Sequence, residues 1–192
     1  AQAIYLLFFQ LHIFTLRLEG TEITVGNQLG GGGFGTVYKG TYKDKKVAIK
    51  AYHTKIPYKK MSRPQKEHTL QEYKLMKGLT HPCVARVFGY SEFKGSLALV
   101  MELAIGTLKK LIEDKVFRLD TIWIQCHVLR QIAYGMQFIH REGILHRDLK
   151  PDNVLVFRWS ELKEVKITDF GESRVSYKWP WVVEKVTNFT LN

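Results

Sequence analysis

The 192-residue sequence predicts an α+β chain in two lobes, with five antiparallel strands and one helix in the first and helices in the second. Three observations predict it. From Ile23 to Val100, short β-branched or aromatic runs alternate with glycine or charged turns. After Met101 the apolar period changes from two residues to about three and a half. The change falls at a short connection, Glu102 to Gly106, and a gap between two lobes is where a small ligand binds. The boundaries read as an apolar lead-in or domain edge at 1–20, a first lobe at 21–102, a partial second lobe at 103–174 and a tail at 175–192.

The strand signals are I-T-V-G-N-Q-L, G-T-V-Y-K-G-T-Y, K-V-A-I-K, A-R-V-F-G-Y and S-L-A-L-V-M-E. The intervening helix opens at Ser62, with Gln65 three places on as a capping box, and runs to about Leu79 with Leu75, Met76 and Leu79 inward. In the second half, Ile122, Cys126, Leu129, Ala133 and Met136 form one stripe of a long helix.

A formal net charge of +11 favours anionic partners without choosing among them. Much of the excess lies in Lys43–Lys46 and Lys55–Lys66, which read as solvated loops and receive no function. No interleaved aromatic platform or known motif supports nucleic-acid binding. Cys83 and Cys126 read as reduced packing thiols of a cytoplasmic protein, and no Cys/His spacing suits zinc. The apolar opening is broken by Gln10 and His12 and is short for a membrane span, so a membrane anchor is not expected.

The chemistry-bearing residues come in order. In L-G-G-G-G-F-G-T-V, Gly30, Gly32 and Gly35 keep a G-x-G-x-x-G-x-V spacing, which lets backbone amides approach a phosphate without Cβ atoms in the way. The strand-like T-V-Y-K-G-T-Y that follows argues against a dinucleotide-binding turn, which needs a helix there. V-A-I-K then places Lys50 on the next strand, within reach of α- and β-phosphates. A lysine buried there needs a carboxylate partner; Glu72 is preferred over Glu67 because Met76 shares its face.

The sharpest signal is H-R-D-L-K-P-D-N, His146 to Asn153, followed by I-T-D-F-G ending at Gly171. Asp148 can orient a hydroxyl for in-line attack, and Lys150 can neutralise charge on the transferring group. Asn153 and Asp169 offer the hard oxygen ligands that Mg²⁺ selects, and Phe170 anchors the loop in the core.

These motifs resemble those of the eukaryotic protein kinases from about Ile23 to Arg174. The resemblance implies a two-lobed kinase fold, ATP and Mg²⁺ as cofactors, and a protein substrate phosphorylated on serine or threonine. It implies that Gly30, Gly31, Gly32, Gly33, Phe34, Gly35 and Val37 cover ATP and that Lys50 pairs with Glu72. Asp148 is then the catalytic aspartate, with Asn153 and Asp169 holding magnesium. Val37, Ala48 and Leu155 sandwich the adenine, Met101 is the gatekeeper, and the backbone of Glu102 to Ala104 meets the adenine edge. L-K-P-D-N resembles serine/threonine rather than tyrosine kinases, and L-V-M-E-L-A with G-T-L-K-K-L-I is similar to the tyrosine-kinase-like group, including its Roco members. The glycines, Lys50, Asp148 and Asp169 are expected to converge on one triphosphate.

No A-P-E motif follows Arg174, so the second lobe is expected to be incomplete, a fragment of a larger signalling protein with further domains. The stripe on the long helix is then expected to lack partners. The alternative reading is a nucleotide-binding pseudokinase or scaffold without transfer activity.

Overall fold

A computed structural model describes residues 17–18, 22–33, 35–114, 122–158 and 164–176. Two compact units divide the chain. One is built from residues up to Gly78 together with Arg86–Leu103, and the other from Leu79–Ala85 and residues from Ala104 onward.

The first unit is a five-stranded antiparallel sheet: β1 (Ile23–Gly32), β2 (Gly35–Tyr42), β3 (Lys45–Tyr52), β4 (Val87–Phe93) and β5 (Ser96–Glu102), in the order β1-β2-β3-β5-β4. All five expected strands are present. Side chains alternate across a strand, so β3 sends Val47, Ile49 and Ala51 to one face and Ala48, Lys50 and Tyr52 to the other. The first set packs with Leu18, Ala98 and Val100. On the opposite face Ala48 packs with Leu97, Leu99, Met101, Tyr73 and Tyr90. Of the apolar lead-in, Arg17 and Leu18 are described, and Leu18 lies against β4, its N–H donating to the Tyr90 carbonyl at 2.8 Å.

The single helix expected from Ser62 is two segments, α1 (Arg63–Thr69) and α2 (Gln71–Lys77), preceded by a 3-10 turn at Tyr58–Lys60. The Thr69 hydroxyl donates to the Gln65 carbonyl at 2.9 Å, a back-bond that bends helices and falls one residue before the break at Leu70. Gln65 Oε1 accepts from the Ser62 N–H at 2.8 Å, the reach-back half of the expected box. Leu75, Met76 and Leu79 are all buried, although the helix stops at Lys77.

In the second unit, β6 (Gly106–Thr107), β8 (Val154–Arg158) and β9 (Glu164–Ile167) form a three-stranded sheet, and β7 (Ile144–Leu145) pairs with β10 (Arg174–Val175). Short helix α3 (Leu108–Glu113) is capped by Thr107, whose hydroxyl accepts from the Lys110 N–H at 3.2 Å. Helix α4 (Ile122–Arg141) packs Val128 and Ile132 with Val154, Val156 and Val165. Segment Leu79–Ala85 runs beside β9, with Ala85 N–H donating to the Ile167 carbonyl at 2.8 Å and Ile167 N–H to the Cys83 carbonyl at 2.9 Å.

The apolar stripe on α4 that is expected to lack partners is largely exposed. Ile122, Cys126, Leu129 and Ala133 are exposed, whereas Val128, Gly135 and Ile139 face inward. Helix α4 is apolar on two faces, and Gly135 decides which one packs. A Cβ there would stand 2.8 Å from both the Cys83 carbonyl oxygen and Ile167 Cδ1, so only glycine admits the approach. Cys126 is therefore not a packing thiol. Cys83 is one, and burial pushes its pKa up, away from reactivity.

This face assignment predicts that Ile139→Ala, at a fully buried position, destabilises the chain by about 2–5 kcal/mol. Leu129→Ala, at a position 62% exposed, should change stability by less than about 0.5 kcal/mol. Urea unfolding followed by circular dichroism measures both, and the reverse ranking would refute the assignment.

Candidate active site

The glycine-rich hairpin belongs to the first unit. Strand β1 continues through the glycines, with Gly30 opposite Val37, Gly31 opposite Thr36 and Gly32 opposite Gly35. A Cβ built on Gly30, Gly32 or Gly33 meets nothing within 4 Å. At Gly35 it would collide with the Ala51 carbonyl oxygen of β3. Packing therefore requires glycine at Gly35 and, among the described residues, leaves Gly30, Gly32 and Gly33 unconstrained. Phe34 lies outside the described residues.

Two residues on, Val37 is the cross-strand partner of Lys50. Lys50 Nζ donates to Glu72 Oε1 at 3.0 Å and to Oε2 at 3.1 Å. Both side chains are buried, so the ammonium is tolerated because a carboxylate meets it directly. Glu67, the rival in the sequence, pairs with Lys74 instead. One member of this cluster was missed by sequence reasoning. Tyr52 donates its phenol to Glu72 Oε2, and its ring lies 5.4 Å from Lys50 Nζ. Its signal was the two-residue spacing from Lys50, which puts both on one sheet face.

Ala48 on β3 is buried and opposes Met101, which is also buried, on β5. The Glu102 N–H donates to the Arg86 carbonyl at 3.1 Å, and Glu102 Oε1 accepts from the Arg86 N–H at 2.7 Å. The Glu102 donor is thus already committed within the sheet. Ala104 and Leu155 are in the second unit, half-buried, Leu155 on β8 opposite Thr107.

The H-R-D-L-K-P-D-N loop of the second unit is organised by His146, which is buried. Its Nδ1 accepts from the Asp148 N–H at 3.3 Å, so Nε2 carries the proton that it donates to the Thr168 carbonyl at 3.0 Å. Phe170 is fully buried and packs edge-on against the imidazole at 5.0 Å between ring centres. Ser173, also buried and not anticipated, donates its hydroxyl to the His146 carbonyl at 3.1 Å. Arg147 and Asp169 take left-handed backbone conformations, φ 68° and 64°. Non-glycine residues hold this region where surrounding contacts impose it, often at functional sites.

Asp148 is held on both sides. Lys150 Nζ donates to its Oδ2 at 2.7 Å, and the Asn153 amide donates to Oδ2 at 2.9 Å and to the Asp148 carbonyl at 2.8 Å. The Lys150 hydrogen bond is the main cause that holds the Asp148 carboxyl below its ordinary range, and the same bond raises the Lys150 pKa. Asn153, in the 3-10 turn Pro151–Asn153, is buried, and its carbonyl accepts from the Thr168 N–H at 3.0 Å. That bond sets Asp169 one residue beyond the Asn153 partner. Among the described residues no group of three His, Cys, Asp or Glu could hold a metal. Asn153 and Asp169 carry hard oxygens of the kind Mg²⁺ takes, and Asp169 Oδ1 accepts from the Gly171 N–H at 3.4 Å.

Sheet, buried lysine–glutamate pair and aspartate loop together define a kinase-type domain. A family model, protein kinase domain, matches residues 23–187. The chain belongs to the protein kinase domain family. The match runs past Arg174, where the motif resemblance stopped. Relatives include a serine/threonine-protein kinase/receptor of Acanthamoeba polyphaga mimivirus, 32% identical over 83% of this chain and 9% of that protein. A mitogen-activated protein kinase kinase kinase of Drosophila melanogaster is 36% identical over 84% of this chain and 14% of its own length. A G-type lectin S-receptor-like serine/threonine-protein kinase of Arabidopsis thaliana is 31% identical over 88% and 20%. The chain spans about a tenth of the length of the first two such relatives.

Two predictions follow from these contacts. Glu72→Ala leaves the Lys50 ammonium buried without its partner and should cost about 3–5 kcal/mol; Tyr52→Phe keeps the pair and should cost about 1 kcal/mol. Thermal unfolding ranks them, and equal losses would remove the special role of the ion pair. A depressed carboxyl stays ionised as pH falls, and its stabilising contacts are lost only below its folded pKa. Lys150→Ala should therefore raise the Asp148 pKa toward the ordinary value of about 3.9. Carbon-detected NMR titration of the Asp148 carboxyl reads this, and an unchanged pKa would show that Lys150 is not the cause.

Proposed function

We propose that this chain is the ATP- and Mg²⁺-dependent catalytic domain of a serine/threonine protein kinase, part of a larger signalling protein. The observation that carries the reading is the Asp148 carboxylate gripped by Lys150 and Asn153 in a loop tied to Asp169 through Thr168. In this reading Asp148 accepts the proton of a serine or threonine hydroxyl as its oxygen bonds to the γ-phosphorus. The bond from that phosphorus to the bridging β-oxygen breaks and ADP leaves. Lys150 offsets charge on the phosphoryl oxygens. Asn153 gives its amide nitrogen to Asp148, so its Oδ1 is the end that would meet a cation together with the Asp169 carboxylate. Mg²⁺ held there would supply charge neutralisation to the phosphate oxygens.

In the first unit, Lys50, oriented by Glu72, would bind the α- and β-phosphates, and the hairpin from Gly30 to Gly35 would cover them. Val37, Ala48 and Leu155 would hold the adenine, beside Met101 and the backbone of Glu102 to Ala104. The L-K-P-D-N lysine supports serine or threonine as acceptor. The runs L-V-M-E-L-A and G-T-L-K-K-L-I support the tyrosine-kinase-like, Roco-like group.

Transfer of radiolabelled γ-phosphate to casein, with phosphoamino-acid analysis, tests the reading. Label should appear on serine or threonine, and Asp148→Asn should lower turnover at least about a hundredfold with little change in ATP affinity. Lys50→Met should impair both. An ATP-induced thermal shift without any label would favour the pseudokinase alternative. Undiminished labelling by Asp148→Asn would remove the assignment.

A further inference from the structure

Strand β3 places Tyr52 where three parts of the first unit meet. Its cross-strand partner is Gly35, the first residue of β2 and the foot of the glycine-rich hairpin. The approach is close, since a Cβ on Gly35 would stand 3.3 Å from Tyr52 Cα. The half-buried side chain packs against the cluster that holds Tyr73, Leu97 and Leu99. Its phenol donates to Glu72 Oε2 on α2, and its ring lies 5.4 Å from Lys50 Nζ. One residue of β3 thus meets the hairpin through its backbone, the helix through its hydroxyl and the lysine through its ring.

The chemistry of a phenol suits this position. Glu72 is buried, and both of its carboxylate oxygens accept from Lys50, Oε1 at 3.0 Å and Oε2 at 3.1 Å. An ammonium that turns toward phosphate oxygens gives up part of that double contact. A buried carboxylate oxygen left without a donor then bears a desolvation cost that nothing offsets. The Tyr52 hydroxyl is a donor to Oε2 that does not depend on Lys50. Being neutral, it fixes the carboxylate without competing for its charge, as a second lysine or an arginine would.

We propose that Tyr52 is a positioning residue for ATP: its phenol holds the Glu72 carboxylate in place while Lys50 carries its charge to the α- and β-phosphates. This role rests on the reading of the chain as an ATP-dependent kinase, and it adds a residue that acts through Glu72 rather than on the nucleotide. The hydroxyl, not the ring, is the part that matters, because the hydroxyl is what reaches the carboxylate.

The test is Tyr52→Phe in the full chain, which removes the hydroxyl and keeps the ring. Its Kd for ATP with Mg²⁺, from titration with N-methylanthraniloyl-ATP, should rise at least about fivefold. The KM for ATP should rise with it, while the KM for casein stays within about twofold of the parent's. Ile49→Val is the control: it trims a fully buried side chain on the opposite face of β3 and so lowers stability away from Glu72. Its Kd and both KM values should match the parent's within about twofold, because loss of folded chain lowers signal amplitude and kcat but not the affinity of what stays folded. An unchanged Kd in Tyr52→Phe, or equal rises in both variants, would overturn the positioning role and leave the kinase reading standing. A parent chain that neither binds ATP nor labels casein would remove both.

Discussion

The Lys50 ammonium sits among the apolar side chains of the first sheet, and its charge is tolerable there because the Glu72 carboxylate meets it with both oxygens. Much else in the first unit is arranged by that requirement. The pleat of β3 must send Lys50 to the face that α2 covers, so Val47 and Ile49 go to the other face and define the second core cluster. Helix α2 must turn Glu72 toward the sheet, which carries Tyr73 and Met76 into the same interior. Tyr52, two residues along β3, then reaches the same carboxylate from the side. A buried charge pair is weak evidence for stability in itself, but it is a strong constraint on register. A one-residue slip of β3 would exchange its faces and separate the pair.

The second unit is organised around a neutral group instead. His146 uses one ring nitrogen to receive the Asp148 N–H and the other to reach the Thr168 carbonyl, tying the aspartate loop to the segment after β9 that carries Asp169. The Ser173 hydroxyl and the Phe170 ring close the remaining sides. Two left-handed residues, Arg147 and Asp169, flank this knot, as expected where tertiary contacts override local preference.

Local periodicity carried most of the fold. Short β-branched and aromatic runs bounded by glycine or charged turns located all five strands of the first unit. The helix between β3 and β4 was found but not its break, since the Thr69 back-bond depends on a rotamer that spacing does not encode. The buried face of α4, at Val128, Gly135 and Ile139, went unnamed for a related reason. Two apolar faces satisfy the same period, and only the close approach at Gly135 separates them. In the site, motif spacing named Lys50, Glu72, Asp148, Lys150, Asn153 and Asp169. It did not name Tyr52 or Ser173, which act on partners distant in sequence.

The empty surroundings of Gly30, Gly32 and Gly33 carry one more consequence. Among the described residues nothing stands within 4 Å of a Cβ at these positions, whereas Gly35 is pinned by the backbone of β3. Within a single hairpin, then, architecture and recognition are answerable to different residues. The turn can accept side chains at its tip without disturbing the sheet that carries it.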